Sequence, residues 1–148
     1  MSFDKSCARR AVAFGVFDVF HVGHLRYLEY AAQRCRQLWV GIRADQLQTP
    51  GKNHGTVFTE KQRCELVAAL RCVDHAFVFS VPLDDHPYWL DWFNRHDVDV
   101  VIVGGDWHGS ERWNRLTPRL KEADIDVIFA PRTPGISSSK IRKTLFNL

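Results

Sequence analysis

No apolar run in this 148-residue chain approaches the roughly 20 residues of a helical membrane span, so no membrane partner is expected. Cysteine is sparse. Cys7, Cys35, Cys64 and Cys72 include no Cys-x-x-Cys pair and no zinc-site or disulfide-framework spacing. Free thiols in a reducing compartment are the expectation. No block of like charge is present either. Lys and Arg total 20 against 17 Asp and Glu, which lacks the dense basic stripe of a nucleic-acid surface but suits an anionic ligand. Asp18 interrupts the apolar stretch near the N-terminus, unlike a signal-peptide core, and a cytoplasmic protein is expected. Internal repeats and low-complexity segments are absent.

What is there reads as one globular domain over residues 1–148. At this size about 68–70% of the unfolded surface is buried on folding, enough for a full core. Residues 11–17 predict a buried strand. Leu25, Leu28, Ala32 and Cys35 then recur at helical spacing from a start near Val22 or Gly23. Strands are further predicted over 38–42, 75–79, 98–103 and 126–130. Helices are predicted from Thr59, from Pro87 through His96, over 112–122 and over 137–146. Thr59 and Gln62 form a capping box ahead of Leu66, Val67 and Leu70. Pro50, Gly51, Asn53 and Gly55 mark 44–58 as a loop. Trp89, Trp92, Phe93 and His96 share a helix face that suits the core or a dimer interface. Strands separated by helices imply an α/β fold, a parallel sheet of about five strands covered on both faces. Ligands of such sheets bind beyond the carboxyl ends of the strands.

The first such loop holds the most specific chemistry. Gly15, Val16, Phe17 and Asp18 lead into His21-Val22-Gly23-His24, where a helix begins. A helix N-terminus attracts anions through its free N–H groups and its dipole. Glycines at 15 and 23 leave room for a phosphate, and histidines at i and i+3 face one side and take up positive charge readily. Helix capping by one histidine is the competing reading, and a zinc site lacks an evident third ligand.

The last loop is the second constellation. Arg132 and Thr133 precede Ser137, Ser138 and Ser139, then Lys140 and Arg142. Serines cap helices, whereas cations near a helix start oppose its dipole, a conflict that a bound anion removes. Arg132 offers a planar fork for phosphate oxygens. Between these loops, Gly104-Gly105-Asp106-Trp107 follows the fourth strand. Asp106 suits a base, ribose or metal contact, or an Asx turn.

The segment Gly15-Val16-Phe17-Asp18-Val19-Phe20-His21-Val22-Gly23-His24 resembles the signature of the cytidylyltransferase family of nucleotidyltransferases. Val16 stands where that family usually has Thr or Ser. Arg132-Thr133-Pro134-Gly135-Ile136-Ser137-Ser138-Ser139-Lys140-Ile141 resembles the Arg-Thr-x-Gly-Ile-Ser-Thr-Thr-Lys-Ile element of the glycerol-3-phosphate members. Gly104 to Trp107 resembles their Gly-Asp-Asp-Trp, with Gly105 in place of an acid. The resemblance spans residues 12–143 and implies a Rossmann-like single domain. It also implies transfer of a nucleoside monophosphate, CMP from CTP, to a small phosphate monoester, with Mg²⁺ accompanying the triphosphate and a homodimeric assembly. An ATP-using adenylyltransferase or a non-catalytic nucleotide binder are the alternatives. By the same resemblance His21, His24, Lys52 and Arg132 are catalytic. Gly15, Val16, Phe17, Gly23, Asp106, Thr133, Ser137 and Ser138 bind the nucleotide, and Asp18, Arg63 and Trp107 bind the acceptor. Arg43, where the family has a small hydroxyl residue, is expected to alter the acceptor pocket.

Overall fold

The computed structural model describes residues 10–47 and 55–147. Its five strands are β1 (Arg10–Gly15), β2 (Gln37–Arg43), β3 (His75–Phe79), β4 (Val100–Gly104) and β5 (Asp126–Ala130). They form one sheet in the order β3-β2-β1-β4-β5, and every pairing is parallel. The helices are α1 (Val22–Ala32), α2 (Glu60–Ala68), α3 (His86–Arg95), α4 (Glu111–Glu122) and α5 (Ser138–Phe146). The predicted Rossmann-like α/β domain is what the chain adopts.

The central strands show why. Parallel strands covered on both faces read as continuous apolar runs, and β1 and β4 are buried along nearly all of their length. Side chains alternate between two layers, with a period of 2. Ala11 and Ala13 of β1 pack in one core with Leu28 of α1 and Val67 of α2. Val12 and Phe14 pack in the other with Trp89 and Phe93 of α3 and Trp113 and Leu116 of α4. Phe14 meets Phe79 and Trp89 edge to face, at ring separations of 5.3 and 5.0 Å. Such pairs add about 0.5–1.5 kcal/mol each beyond area burial. Of the aromatic stripe on α3, Trp89 and Phe93 are therefore core, while Trp92 and His96 pack outward onto Trp39.

Two boundaries lie two residues from the sequence pattern. β1 ends at Gly15, two residues early, because Phe17 and Val19 turn to φ of 55° and 49°. A positive φ is costly for a β-branched residue, and such strain persists only where surrounding contacts impose it. β4 begins at Val100, because the Val98 N–H closes the end of α3 on Phe93 O and Asp97 takes a φ of 53°. The long second loop contains a 3₁₀ turn at Asp45–Leu47, and the loop after β4 contains another at Gly105–Trp107.

Sheet order places a crevice between β1 and β4. The chain leaves β1 toward β2 on one side and returns past β1 to β4 on the other. Pairing of β1 with β4 runs only from Ala11↔Val100 to Ala13↔Ile102. Beyond it, the Tyr27 hydroxyl of α1 reaches Phe14 O at 3.2 Å and Ile102 O at 2.8 Å. It satisfies carbonyls at the point where the strands part.

Arg63 of α2 braces the carboxyl edge of the sheet. Its side chain is fully buried. Its Nε donates to Phe58 O, one terminal nitrogen donates to both Val16 O and Arg43 O, and the other pairs with Asp45 at 2.6 Å. Breaking a buried charge network by removing one partner costs about 3–5 kcal/mol. Arg63→Met is therefore expected to lower the melting temperature by roughly 6–20 °C. A loss below about 1 kcal/mol in thermal unfolding would show that the brace is dispensable.

Candidate active site

Beyond the carboxyl ends of β1 and β4 lies a cavity of about 670 Å³. Two helix N-termini open onto it, that of α1 at His21 and Gly23 and that of α5 at Ser137 and Ser138. Each presents N–H groups that its own helix leaves unpaired, together with the positive end of a helix dipole. The cavity is thus electropositive from two directions before any side chain is counted.

At the α1 end the histidines form a reciprocal cap. Nδ1 of His21 accepts from Gly23 N at 3.0 Å, and Nδ1 of His24 accepts from His21 N at 3.2 Å. The rings stack 3.8 Å apart. Capping and phosphate binding were competing readings of this pair, and the geometry makes the first a condition of the second. A neutral imidazole that accepts at Nδ1 carries its proton at Nε2, so both rings present Nε2–H donors. Burial, the neighbouring His21 and only partial opposition from Asp18 lower the His24 pKa to about 4. Burial also lowers that of His21. Both shifts favour uncharged rings, and protonating either Nδ1 would oppose the N–H it now accepts.

Gly23 is required for this cap. A Cβ there would lie 2.8 Å from the His21 ring and 3.3 Å from Ile136. A Cβ at Gly15 would likewise meet the folded-back Phe17 ring at 2.8 Å. Both glycines line the cavity, as expected, and both also make room for the turn's own aromatic rings.

Asp18 joins this turn to the rest of the site. It is 1% exposed, and its two carboxylate oxygens accept from Val57 N at 2.8 Å and Phe58 N at 2.9 Å. Its main-chain carbonyl accepts from the Ser138 hydroxyl at 2.8 Å. The carboxylate lines the cavity, but both its oxygens are engaged in positioning the loop ahead of α2. That corrects its expected contact with an acceptor. Arg63 is corrected in the same way, since it lies outside the cavity wall and its guanidinium is committed to the brace. Lys52 lies outside the described residues.

The other expected residues converge. Val16, Phe17, Asp106, Trp107, Arg132, Thr133, Ser137 and Ser138 all line the cavity. The Val16 carbonyl is held by Arg63. Ser137 caps α5 through Lys140 N at 3.1 Å, so at this site too a hydroxyl shapes the helix terminus. Arg132 pairs with Asp106 at 3.1 Å, with both side chains largely exposed. Exposed pairs are worth about 0–1 kcal/mol, so a phosphate can displace Asp106 from Arg132 at little cost. Trp107 is 57% exposed beside that pair. Gly105 has no room for the acid that the motif comparison suggested. A Cβ would sit 2.3 Å from Ala130 O.

Two lining residues carry weight beyond what the sequence assigned them. Tyr27 is an aromatic on a helix face, which reads as packing, yet its hydroxyl ties the crevice floor. Arg142, on the second turn of α5, has a buried Nε with no partner and a terminal nitrogen 3.6 Å from the Asp18 carboxylate. Its place at the end of the hydroxyl-rich run was the available signal. Among the described residues, no group of three or more His, Cys, Asp or Glu is arranged to hold a metal ion. The cavity carboxylate not tied to backbone N–H groups is Asp106, which pairs with Arg132. That donor set fits a Mg²⁺ carried mainly by phosphate oxygens and water, as this ion prefers.

The cytidylyltransferase-like family profile matches residues 12–144. Glycerol-3-phosphate cytidylyltransferase of Bacillus spizizenii is 30% identical over 142 residues, covering 95% of this chain and 99% of that protein. FAD synthase of Methanocella arvoryzae is also 30% identical over 142 residues, covering 93% and 95%. A lipopolysaccharide core biosynthesis protein from Thermoplasma volcanium superposes with a TM-score of 0.67 at 22% identity, covering 85% of this chain and 98% of that one.

The cap makes a direct prediction. His24 takes up protons in the folded state only near pH 4, but at about 6.5 when unfolded. Its contribution to stability is therefore full above about pH 6.5 and is lost as pH falls toward 4. Nitrogen-15 spectra of the imidazoles at pH 7 should show both His21 and His24 neutral with Nε2 protonated. A His24 midpoint at or above 6.5 would contradict the cap. Gly105→Asp is expected to destabilise by about 1–3 kcal/mol through overpacking against β5, and an unchanged melting temperature would refute the close contact.

Proposed function

This chain belongs to the cytidylyltransferase-like family and is a nucleotidyltransferase, and we propose that it transfers CMP from CTP to a small phosphate monoester such as glycerol 3-phosphate. The observation that carries this reading is the pair of neutral Nε2–H donors at the α1 terminus, facing the α5 terminus across one cavity. Three relatives, matched over 96–99% of their length, bear glycerol-3-phosphate cytidylyltransferase as their name.

The chemistry needs no enzyme nucleophile. An oxygen of the acceptor phosphate attacks the α-phosphorus of the triphosphate and forms a new P–O bond. The bond from that phosphorus to the bridging oxygen breaks, and its electron pair leaves with pyrophosphate. Phosphoryl-type transfers of this kind depend on positioning and on stabilisation of developing charge. Holding both reactants in line can supply about 7–11 kcal/mol of the barrier. The Nε2–H groups of His21 and His24 would donate to the α-phosphate oxygens as negative charge builds there. Because both rings are held by backbone N–H groups, their donors need no reorientation during the step. Arg132, released from Asp106, and Arg142 would hold the phosphates from the α5 side, and Thr133 would join them from the same cavity wall. Lys52 is proposed for the β- and γ-phosphates. Mg²⁺ would neutralise phosphate charge when bound, and Asp106 is the protein carboxylate that would share in holding it.

A second reading has one observation in its favour. FAD synthases match this chain at 30 and 31% identity, so adenylyl transfer from ATP to a flavin phosphate belongs in the same test. Pyrophosphate release should be measured with CTP and ATP against glycerol 3-phosphate, other phosphate monoesters and FMN. The expected result is turnover with CTP and a small monoester. Nucleotide binding without turnover for any pair would overturn the enzymatic reading. In the active pair, His24→Ala is expected to lower the turnover rate by roughly 10²–10³, the cost of one oriented oxyanion donor. Near-normal turnover would remove His24 from the mechanism.

A further inference from the structure

We propose that Arg142 grips the pyrophosphate half of the triphosphate, exchanging the Asp18 carboxylate for the β- and γ-phosphates. The assignment rests on the transfer reaction proposed above and names which phosphates Arg142 takes. It starts from a buried donor without a partner. Arg142 lines the cavity, and its side chain is 25% exposed. Its Nε is buried and makes no hydrogen bond. One terminal nitrogen stands 3.6 Å from an Asp18 oxygen, beyond hydrogen-bonding length. A buried donor on a charged group is costly to leave unpaired, and the partner it lacks has to come from the cavity side.

Asp18 is not that partner. The oxygen nearest Arg142 already accepts from Val57 N at 2.8 Å, and the other accepts from Phe58 N at 2.9 Å. Asp18 therefore holds Arg142 by charge, without a hydrogen bond. The helix sets where the guanidinium lies. Ser138 and Arg142 are i and i+4 on α5, so they share a face, and helical side chains lean toward the N-terminus. Ser138 ties that face to the histidine turn by donating to Asp18 O at 2.8 Å. The Arg142 fork thus lies over the first turn of α5, beside the N–H groups that this helix leaves unpaired. Cationic side chains there oppose the helix dipole, and a polyphosphate satisfies both.

The reaction geometry fixes which phosphates these are. With the α-phosphate on the histidines at the α1 terminus, the β- and γ-phosphates extend toward the α5 terminus. Attacking and leaving oxygens lie roughly in line across the α-phosphorus, so the acceptor phosphate enters from the side opposite Arg142. As the bond to the bridging oxygen breaks, its electron pair leaves on the β-phosphate, and charge grows where the fork lies. Nε and a terminal nitrogen can bind two phosphate oxygens at once. Arg132 differs in kind, because its pair with Asp106 is largely exposed. The product nucleotide keeps the α-phosphate and gains the acceptor, so it carries no group for Arg142. Arg142 thereby distinguishes the substrate triphosphate from the product, and Asp18 takes the guanidinium back as pyrophosphate leaves.

The test titrates pyrophosphate, CTP and CMP, each with Mg²⁺, into the ¹⁵N-labelled full chain. Pyrophosphate serves as a probe whichever triphosphate is the substrate, because every such transfer releases it. The buried Arg142 Nε–H signal is expected to shift saturably with pyrophosphate and CTP but not with CMP. R142Q should weaken pyrophosphate and CTP binding at least tenfold and leave CMP affinity within twofold, which also certifies the fold. R142K keeps the charge without the fork and should fall between. No pyrophosphate binding to the wild-type chain, an unmoved Nε–H signal, pyrophosphate affinity within twofold in R142Q, or parallel loss of CMP would each overturn the assignment. Selective loss of pyrophosphate in R142Q, with no transfer from any triphosphate in the wild type, would support the assignment and overturn the reaction. Transfer with an unchanged pyrophosphate inhibition constant in R142Q would overturn the assignment and support the reaction.

Discussion

The Asp18 carboxylate is the contact on which the site depends. It is almost inaccessible, and it holds the N–H groups of Val57 and Phe58 while its own carbonyl takes the Ser138 hydroxyl. Three segments far apart in sequence thereby meet at one residue: the turn after β1, the loop before α2 and the start of α5. Phe17 and Val19, on either side, both sit at positive φ. Strain of about 1–3 kcal/mol at each such residue survives only where neighbouring contacts over-determine the backbone. The hydrogen bonds of Asp18 and the fully buried Arg63, which grips Val16 O, provide that over-determination.

The electrostatics follow from this backbone. Two helix termini supply positive potential without side-chain charge, and the histidines add directed donors while remaining neutral. A neutral pair spares the α1 terminus a like charge beside its own dipole. Arg132 sits in an exposed pair with Asp106 that a ligand can exchange. In the proposed reaction, fixed groups would orient the reacting phosphate, and this exchangeable pair would admit and release the ligand.

Much of this was legible in the sequence. Alternating apolar runs and helical spacing identified every strand and α-helix of the described residues, with boundaries shifted by a residue or two. The two ends of the cavity were visible as motifs, because the chemistry that binds phosphate at a helix start uses small, hydroxyl and imidazole residues in short order. The misassigned residues share one physical cause. Arg63 and Asp18 were read as ligand contacts from residue type and place, but a charge at an edge can equally be buried by bonds to backbone carbonyls and N–H groups, which leave no trace in a sequence. Tyr27 was missed for the related reason that its hydroxyl serves carbonyls of two strands that only the topology brings together. Gly105 looked like the loss of an acid, whereas the approach of Ala130 O leaves no room for one.

The central claim is that a triphosphate lies between the α1 and α5 termini with its α-phosphate on the histidine pair. A crystal structure with a non-hydrolysable CTP analogue tests this most directly. The account predicts an α-phosphate oxygen within hydrogen-bonding distance of Nε2 of both His21 and His24, with Arg132 turned away from Asp106 onto phosphate. A triphosphate seated elsewhere, or histidines turned so that Nδ1 faces the ligand, would contradict it.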